Sequence, residues 1–157
     1  MESMESVQNK KNLQYDSEEF ERYKEQLLMA IQTSENAMEQ VPKELRNDKD
    51  FIYEAVKVDE FGTVLKYVPK EFREDKDLLL TAIEQEGNAI YFASENLMKD
   101  RDFILEAARR NIKVAFIILY FIPRLIYDQD LEQELKNMIE EMDSDKKIDV
   151  SDEMKLN

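Results

Sequence analysis

The sequence contains no histidine, no cysteine and no tryptophan, and it has only two glycines and three prolines in 157 residues. Without cysteine there is no disulfide framework, no thiolate nucleophile and no cysteine zinc site. Without histidine the chain lacks the base of Ser-His and Cys-His catalytic sites and a common metal ligand. Gly62 and Gly87 are too few to form a phosphate-binding loop. We therefore expect no enzyme activity, no metal and no cofactor.

Acidic residues outnumber basic residues by 36 to 22, which gives a net charge of −14. This charge repels nucleic-acid phosphates and anionic lipids, so we expect neither direct nucleic-acid binding nor membrane binding. The longest apolar run, Val114 to Ile122, has nine residues, whereas a membrane-spanning helix needs roughly 20. Residues Met1 to Glu5 are acidic and contain no apolar leader. The default expectation is therefore a cytoplasmic protein.

A common pattern recurs four times along the middle of the chain. Its alanines and its aspartates each return after roughly 25–28 residues, a period typical of helical repeats. These residues are Ala30, Ala55, Ala82 and Ala107, and Asp48, Asp75, Asp100 and Asp128. Apolar residues at helical spacing indicate a helix in each repeat, and a loop and a short second helix follow. We predict an all-α fold, a short right-handed stack of about four helix–loop–helix repeats with a C-terminal capping helix.

Three repeats begin with an Asp-basic-Asp triplet, at Asp48, Asp75 and Asp100. Hard cations prefer carboxylate ligands, so a metal site is one interpretation of these triplets. Aspartate is also a preferred N-cap, because its side chain accepts free backbone N–H groups and meets the positive end of the helix dipole. Since each triplet opens a predicted helix, we favour capping over metal binding.

Aromatic residues occur at helical spacing within the repeats. This spacing favours a place in the core over a recognition surface. The residues assigned to the core on this basis are Phe51, Tyr67, Phe92, Phe103 and Tyr120.

The order of these landmarks resembles a known repeat. Asp-Lys/Arg-Asp is followed by Ala, then by Gly or Asn, then by Tyr-Ala/Val-Ser/Pro and Leu or Phe. This succession is similar to the repeat of the family catalogued as domain of unknown function 4116. The resemblance covers residues 25–128 and is clearest from Asp75 to Ala107. It implies an all-α helical repeat and, because the family has no established catalytic residues, it implies no mechanism.

The repeats differ in length at one loop. Each repeat alanine is followed by a landmark residue, and these landmarks are Pro42, Pro69, Ser94 and Pro123. The stretch between alanine and landmark is longer in the second and fourth repeats than in the other two. Insertions at one loop of a repeat stack lie on one face, which is often the binding face. Ordinary loop variation is the alternative interpretation. The candidate partner-binding residues in the two longer loops are Asp59, Glu60, Phe61, Arg109, Arg110 and Lys113.

The two ends of the chain differ from its middle. We predict a flexible polar leader at 1–16, a single α-helical repeat domain at 17–142 and a disordered acidic tail at 143–157. An amphipathic stripe from Leu131 to Met142 favours a helix that caps the stack, and a helix that docks a partner is the alternative.

Two functions fit these observations. The first is a non-catalytic helical-repeat module that binds a protein partner through a repeat face. The second is a small acidic inhibitor, of the phage anti-defence type, that blocks a nucleic-acid-binding enzyme by occupying its basic groove. The net charge is −4 in residues 1–21, −4 in residues 22–128 and −6 in residues 129–157. Because most of the excess charge lies outside the repeats, we favour the first function. The affinity of an electrostatic mimic would also fall steeply with salt.

Overall fold

The computed structural model describes residues 17–122 and 128–155, with side chains as far as residue 145, and these ranges contain helices and no strand. The all-α prediction is confirmed, and the predicted leader at 1–16 lies outside the described residues. The α-helices are α1 (Ser17–Thr33), α2 (Lys43–Arg46), α3 (Lys49–Val58), α4 (Lys76–Gln85), α5 (Glu95–Met98), α6 (Arg101–Arg110), α7 (Lys113–Phe116) and α8 (Gln129–Lys155). None of the helices in these ranges has the length and apolar character needed to cross a membrane.

The long helices pack in the order in which they occur in the chain. Helix α1 packs against α3, α3 against α4, α4 against α6, and α6 against α8. Short helices fill the connections, namely the 3₁₀-helices Ala37–Gln40, Val64–Lys66, Lys70–Glu74 and Gly87–Phe92 and the π-helical turn Ile117–Phe121. Each unit therefore contacts chiefly its neighbours, which is the arrangement of a helical repeat stack.

Three of the four repeat alanines lie in the core of the stack. Ala55, Ala82 and Ala107 are buried in α3, α4 and α6, which pack on one another in that order. Larger side chains close the space on either side and form one continuous core. Its fully buried members include Ile52, Leu65, Leu78, Leu79, Ile83, Ile90, Phe103, Ile118 and Leu135. Burial of each such side chain contributes about 1.5–3 kcal/mol, so the core supplies the main stabilisation of the stack.

The recurring aspartates are N-caps, as predicted. Each Oδ1 atom accepts the backbone N–H of the residue three positions later. The O···N distances are 3.0 Å for Asp48 and Phe51, 3.1 Å for Asp75 and Leu78, 3.2 Å for Asp100 and Phe103, and 3.2 Å for Asp128 and Leu131. The triplets therefore begin α3, α4 and α6, and Asp128 begins α8.

The basic residue of each triplet pairs with the capping aspartate of the next unit. Lys49 Nζ lies 2.7 Å from Asp75 Oδ2. Arg101 Nη1 lies 2.7 Å from Asp128 Oδ2. The middle unit has the same ion pair, between Lys76 and Asp100. We call these three pairs the aspartate ladder. Since exposed ion pairs contribute little free energy, the ladder is a regular contact between successive units and the core remains the main source of stability.

Helix α8 closes the C-terminal end of the stack. Leu131 and Leu135 are buried, and Met138 and Ile139 pack against the core, so most of the predicted amphipathic stripe faces the repeats. The predicted boundary at Met142 is not a helix end, because α8 continues to Lys155. Neither Pro nor Gly occurs between these two residues to end it.

Candidate functional site

Polar side chains also occupy the C-terminal ends of the long helices α3, α4 and α6. Asp59, Glu86 and Asn111 each stand four residues after a repeat alanine. Their side chains accept backbone N–H groups of the loop that follows. The distances are 3.1 Å from Asp59 to Phe61, 2.9 Å from Glu86 to Asn88 and 3.1 Å from Asn111 to Lys113. These loops are therefore held by a repeated structural contact. The sequence analysis placed Arg109, Arg110 and Lys113 in the last of them, but Arg109 and Arg110 end α6 and Lys113 begins α7.

Asp59 lies inside this loop region and is only 2% exposed. Its Oδ2 atom accepts the N–H of Val64 at 2.7 Å, and its Oδ1 atom accepts the N–H of Phe61 at 3.1 Å. Burial raises the pKa of Asp59, although the hydrogen bonds from Val64 and Phe61 oppose that shift. The sequence analysis placed Asp59 on a binding face. The structure instead places its carboxylate beneath the loop, where it has no exposed surface for a partner.

The loops of successive units pack directly on one another. Gly62 has a φ of +67°, which L side chains rarely adopt, and a Cβ atom there would lie 2.9 Å from Cγ of Glu86. A Cβ atom on Gly87 would lie 2.9 Å from Cβ of Lys113. Glu86 also forms an ion pair with Lys113. The structure therefore brings the two predicted loops onto one edge, with the loop of the third unit between them.

The basic candidates on this edge all pair with neighbouring glutamates. Arg110 Nε lies 3.0 Å from Glu106, and its Nη1 lies 3.7 Å from Glu84. Arg109 lies 3.7 Å from Glu106, and Lys113 pairs with Glu86. Arg109, Arg110 and Lys113 therefore stay candidate partner-binding residues, each with a glutamate beside it.

The acidic loop keeps two exposed candidates. Glu60 is exposed, and the Phe61 side chain is 43% exposed. Phe61 is thus the apolar candidate that the structure leaves accessible on this edge.

The fourth unit exposes a larger apolar surface, which the sequence analysis missed. Phe116, Tyr120 and Phe121 are 37%, 67% and 74% exposed. The rings of Phe116 and Tyr120 stack with their centroids 6.2 Å apart and their planes at 26°. We call these three residues the aromatic patch. Large contiguous apolar patches on a protein surface often mark interaction sites.

Tyr120 was assigned to the core, and this assignment is wrong. Phe51 and Phe103 are buried as predicted, and Tyr67 and Phe92 pack against the core while remaining partly exposed. The difference arises because the segment 114–122 is apolar throughout, so hydrophobic spacing does not say which side faces inward. The extra length between the repeat alanine and Pro123 was the available signal that this unit is unusual.

The aromatic patch lies on an irregular helix. Val114, Ala115, Ile117 and Ile118 are buried beneath it. The N–H of Ile122 donates to the carbonyl of Ile117 at 3.1 Å, which is the i to i−5 bond of a π turn. The three earlier units have a 3₁₀-helix at this place. Single π turns occur frequently at functional sites. Here the turn carries Tyr120 and Phe121, and Phe116 directly precedes it.

Helix α8 borders the aromatic patch. Glu132 raises the pKa of Lys136 through a hydrogen bond and its charge, and the Tyr120 hydroxyl adds a smaller contribution. Helix α7, which carries Phe116, packs against α8. Lys136 Nζ lies 2.5 Å from Glu132 Oε1, so its charge is compensated within the helix.

Comparison with known protein families matches residues 23–73, 58–98 and 75–126 to the domain of unknown function DUF4116. The chain belongs to the DUF4116 family. The first DUF4116 match begins in α1, the last ends beyond the π turn, and α8 lies outside all three. The aromatic patch thus belongs to the last matched DUF4116 segment. Comparisons with curated proteins and with solved structures gave no match.

Proposed function

We propose that this protein is a non-catalytic helical-repeat module that binds a protein partner through the aromatic patch. The observation that carries the proposal is the exposure of three neighbouring aromatic side chains on the last repeat. Large aromatic side chains supply much apolar contact area at low conformational cost, and they are enriched at binding hot spots. Their placement on a helix with a buried underside pre-organises them for binding.

The acidic-inhibitor alternative has less support from the described contacts. Several carboxylates of the repeats already form ion pairs with lysines of the stack, including Asp75, Asp100 and Glu86. A nucleic-acid mimic needs carboxylates that are free to meet a basic groove. Salt dependence separates the two functions, since salt has only a weak effect on binding by an aromatic patch. The cytoplasmic location stays a prediction.

A photocrosslinking experiment tests the proposal. In the first variant, a photoreactive phenylalanine analogue replaces Tyr120. In the control variant, the same analogue replaces Glu71, which is exposed in a different unit. We expect the Tyr120 position to capture a protein in the native cells and the Glu71 position to capture none.

The captured protein then serves as the ligand in affinity measurements. We expect F116S/Y120S/F121S to weaken its binding at least about tenfold, because hot-spot aromatics carry most of the interface energy. The matched control is F20S/M29S, which removes exposed apolar side chains from α1. Equal affinities of the two variants would contradict the proposal.

A further inference from the structure

We infer that the partner binds as an extended segment across the short second helices, with apolar side chains on the fourth and third units and a carboxylate on the second. This inference rests on the proposed function and adds the course and the chemical class of the partner segment. It gives binding roles to Tyr91 and Lys66, which lie outside the aromatic patch.

One exposed residue occupies the same place in three successive units. Each short helix that follows a long helix is anchored in the core by two consecutive buried residues, namely Val64 and Leu65, Ala89 and Ile90, and Val114 and Ala115. The residue after each buried pair is exposed, and these residues are Lys66, Tyr91 and Phe116. We call these three residues the outer row.

Contacts between the units place the members of the outer row next to one another. The 3₁₀-helix Gly87–Phe92 packs against both Val64–Lys66 and α7. Arg73 Nη2 donates to the carbonyl of Lys66 at 3.3 Å, and the same guanidinium lies 5.6 Å from the centre of the Phe92 ring. Because corresponding residues of stacked repeats face the same side, the outer row runs along the stack with one residue from each unit.

The aromatic end of the row is longer than the aromatic patch. Tyr91 is 52% exposed and corresponds to Phe116 of the next unit. The helices that carry these two residues contact each other. Tyr91 therefore extends the exposed apolar surface from the fourth unit onto the third.

The other end of the row is basic. Lys66 is exposed, and among the side chains that the structure describes neither Lys66 nor Arg73 has a carboxylate within ion-pair distance. Glu39, at the same place in the first unit, accepts the hydroxyl of Tyr67 at 3.2 Å. The lysines of the aspartate ladder, by contrast, each pair with a carboxylate of the next unit. Lys66 and Arg73 therefore favour a carboxylate on the partner, because rim charges select partners of opposite sign.

A polyproline II segment fits the spacing of the outer row. Helices in contact lie about 8–10 Å apart. A polyproline II segment rises about 3.1 Å per residue and returns to the same side at every third residue, so its side chains recur at the spacing of the units. Surfaces lined by aromatic residues commonly bind such segments. We therefore expect an acidic residue of the partner at Lys66, and apolar residues three and six positions away at Tyr91 and Phe116.

The test uses the full chain and labelled proline-rich peptides, with binding followed by fluorescence anisotropy. The first peptide contains Glu-Pro-Pro-Leu-Pro-Pro-Leu, and the second contains the same residues in reverse order, because a polyproline II site accepts either chain direction. Two further peptides have Lys in place of Glu. We expect one Glu peptide to bind at least about threefold more tightly than its Lys counterpart, as expected for an exposed ion pair.

Substitution of Tyr91 tests the aromatic part of the row. Y91S should weaken binding of that Glu peptide at least about fivefold, because aromatic side chains carry much of the energy of an interface. The matched control is F20S, which removes an exposed aromatic ring from α1. It should leave the affinity within about twofold.

Charge reversal at Lys66 tests the basic end. K66E should weaken binding of the Glu peptide about three- to tenfold and should make the Lys peptide the preferred one. The control K57E makes the same charge change at an exposed residue of the long helix α3. It should keep the preference for Glu.

Several results would overturn the inference. They are failure of all four peptides to bind, equal affinities for Glu and Lys peptides, equal affinities of Y91S and F20S, and an unchanged preference in K66E. A dimer of this chain that Y91S dissociates in light scattering would also overturn it, because a second copy would then cover the row.

The protein captured at Tyr120 judges the proposed function separately. If F116S/Y120S/F121S abolishes its binding and neither Y91S nor K66E weakens it, the function stands and the extended acidic partner class fails.

Discussion

Lys49 and Asp75 join two successive repeats through a single carboxylate. Lys49 Nζ lies 2.7 Å from Asp75 Oδ2, and Asp75 Oδ1 accepts the N–H of Leu78 at 3.1 Å. Tyr53 also donates its hydroxyl to Oδ1 at 3.1 Å. One side chain therefore caps its own helix and receives two contacts from the helix before it. This arrangement accounts for the first two positions of the Asp-basic-Asp triplet.

Replacement of Asp75 separates these two roles. We expect D75A to lower the free energy of unfolding by about 1–2 kcal/mol, because the N-cap is lost. D75N retains a capping oxygen and loses only the charge, so its effect should be smaller. Urea unfolding at pH 7 measures both changes. The control is D77A, in the same helical turn, which should change stability by less than about 0.5 kcal/mol. A D77A effect as large as that of D75A would contradict the capping assignment.

The ladder should make stability depend on pH in the acid range. Lys76 and the N–H of Phe103 hold the pKa of Asp100 below its ordinary value of 3.8. A carboxylate with a lowered pKa in the folded state stabilises the fold above that ordinary value, and this stabilisation is lost as the pH falls through the folded pKa. We therefore expect the urea midpoint to fall between about pH 5 and pH 2.

Matched triple variants assign this pH dependence to the ladder. The pKa values of Asp75 and Asp128 are also lowered, so D75N/D100N/D128N should flatten the acid limb of the stability curve. The control D50N/D77N/D102N changes the second aspartate of each triplet and should leave the limb as it is in the parent protein. If the control also flattened it, the acid sensitivity would lie outside the ladder.

We expect the buried Asp59 side chain to stabilise the fold. Asp59 accepts the N–H of Val64 with one carboxylate oxygen and the N–H of Phe61 with the other. In D59N an NH₂ group, which is a donor, takes the place of one of these two oxygens. Loss of one buried hydrogen bond predicts a decrease of about 1–3 kcal/mol in the free energy of unfolding. E60Q removes the same charge from the neighbouring exposed residue and should have an effect below about 0.5 kcal/mol. Thermal unfolding of the two variants compares them directly, and equal melting temperatures would refute the structural role of Asp59.

The aromatic patch should be dispensable for folding. Phe121 is mostly exposed, so we expect F121S to change the free energy of unfolding by less than about 0.5 kcal/mol. Phe103 is buried, and F103A should cost about 3–5 kcal/mol. Chemical unfolding measures both. A cost for F121S that approached the cost of F103A would show that the patch stabilises the fold, and it would remove the reason to assign it to binding.

Local features of the fold were predictable from the sequence because they depend on neighbouring residues. The N-cap role of Asp48 follows from the aspartate and the helix that begins beside it, and the inward side of α8 follows from the spacing of Leu131 and Leu135. The contact between Lys49 and Asp75 was not predictable in the same way. It depends on how closely two helices stack, and the sequence does not state that distance.

The candidate site was harder to predict because exposure depends on the path of the backbone. The polar loop residue Asp59 turns inward, since the next short helix presents its free N–H groups there. Tyr120 belongs to an unbroken apolar run, which covers every side of its helix. One side of that helix faces solvent, and Tyr120 lies on it. At both positions, the polarity of the side chain alone predicted the wrong exposure.

The ladder also bears on how such a chain can gain or lose length. The units that begin at Asp75 and Asp100 each supply a cation to the unit after them and an aspartate to the unit before them. A duplicate of either unit would therefore carry both residues needed to pair with its neighbours. A unit inserted between existing repeats could therefore form the same ion pairs. The ladder itself ends at Asp128, where Gln129 replaces the basic residue.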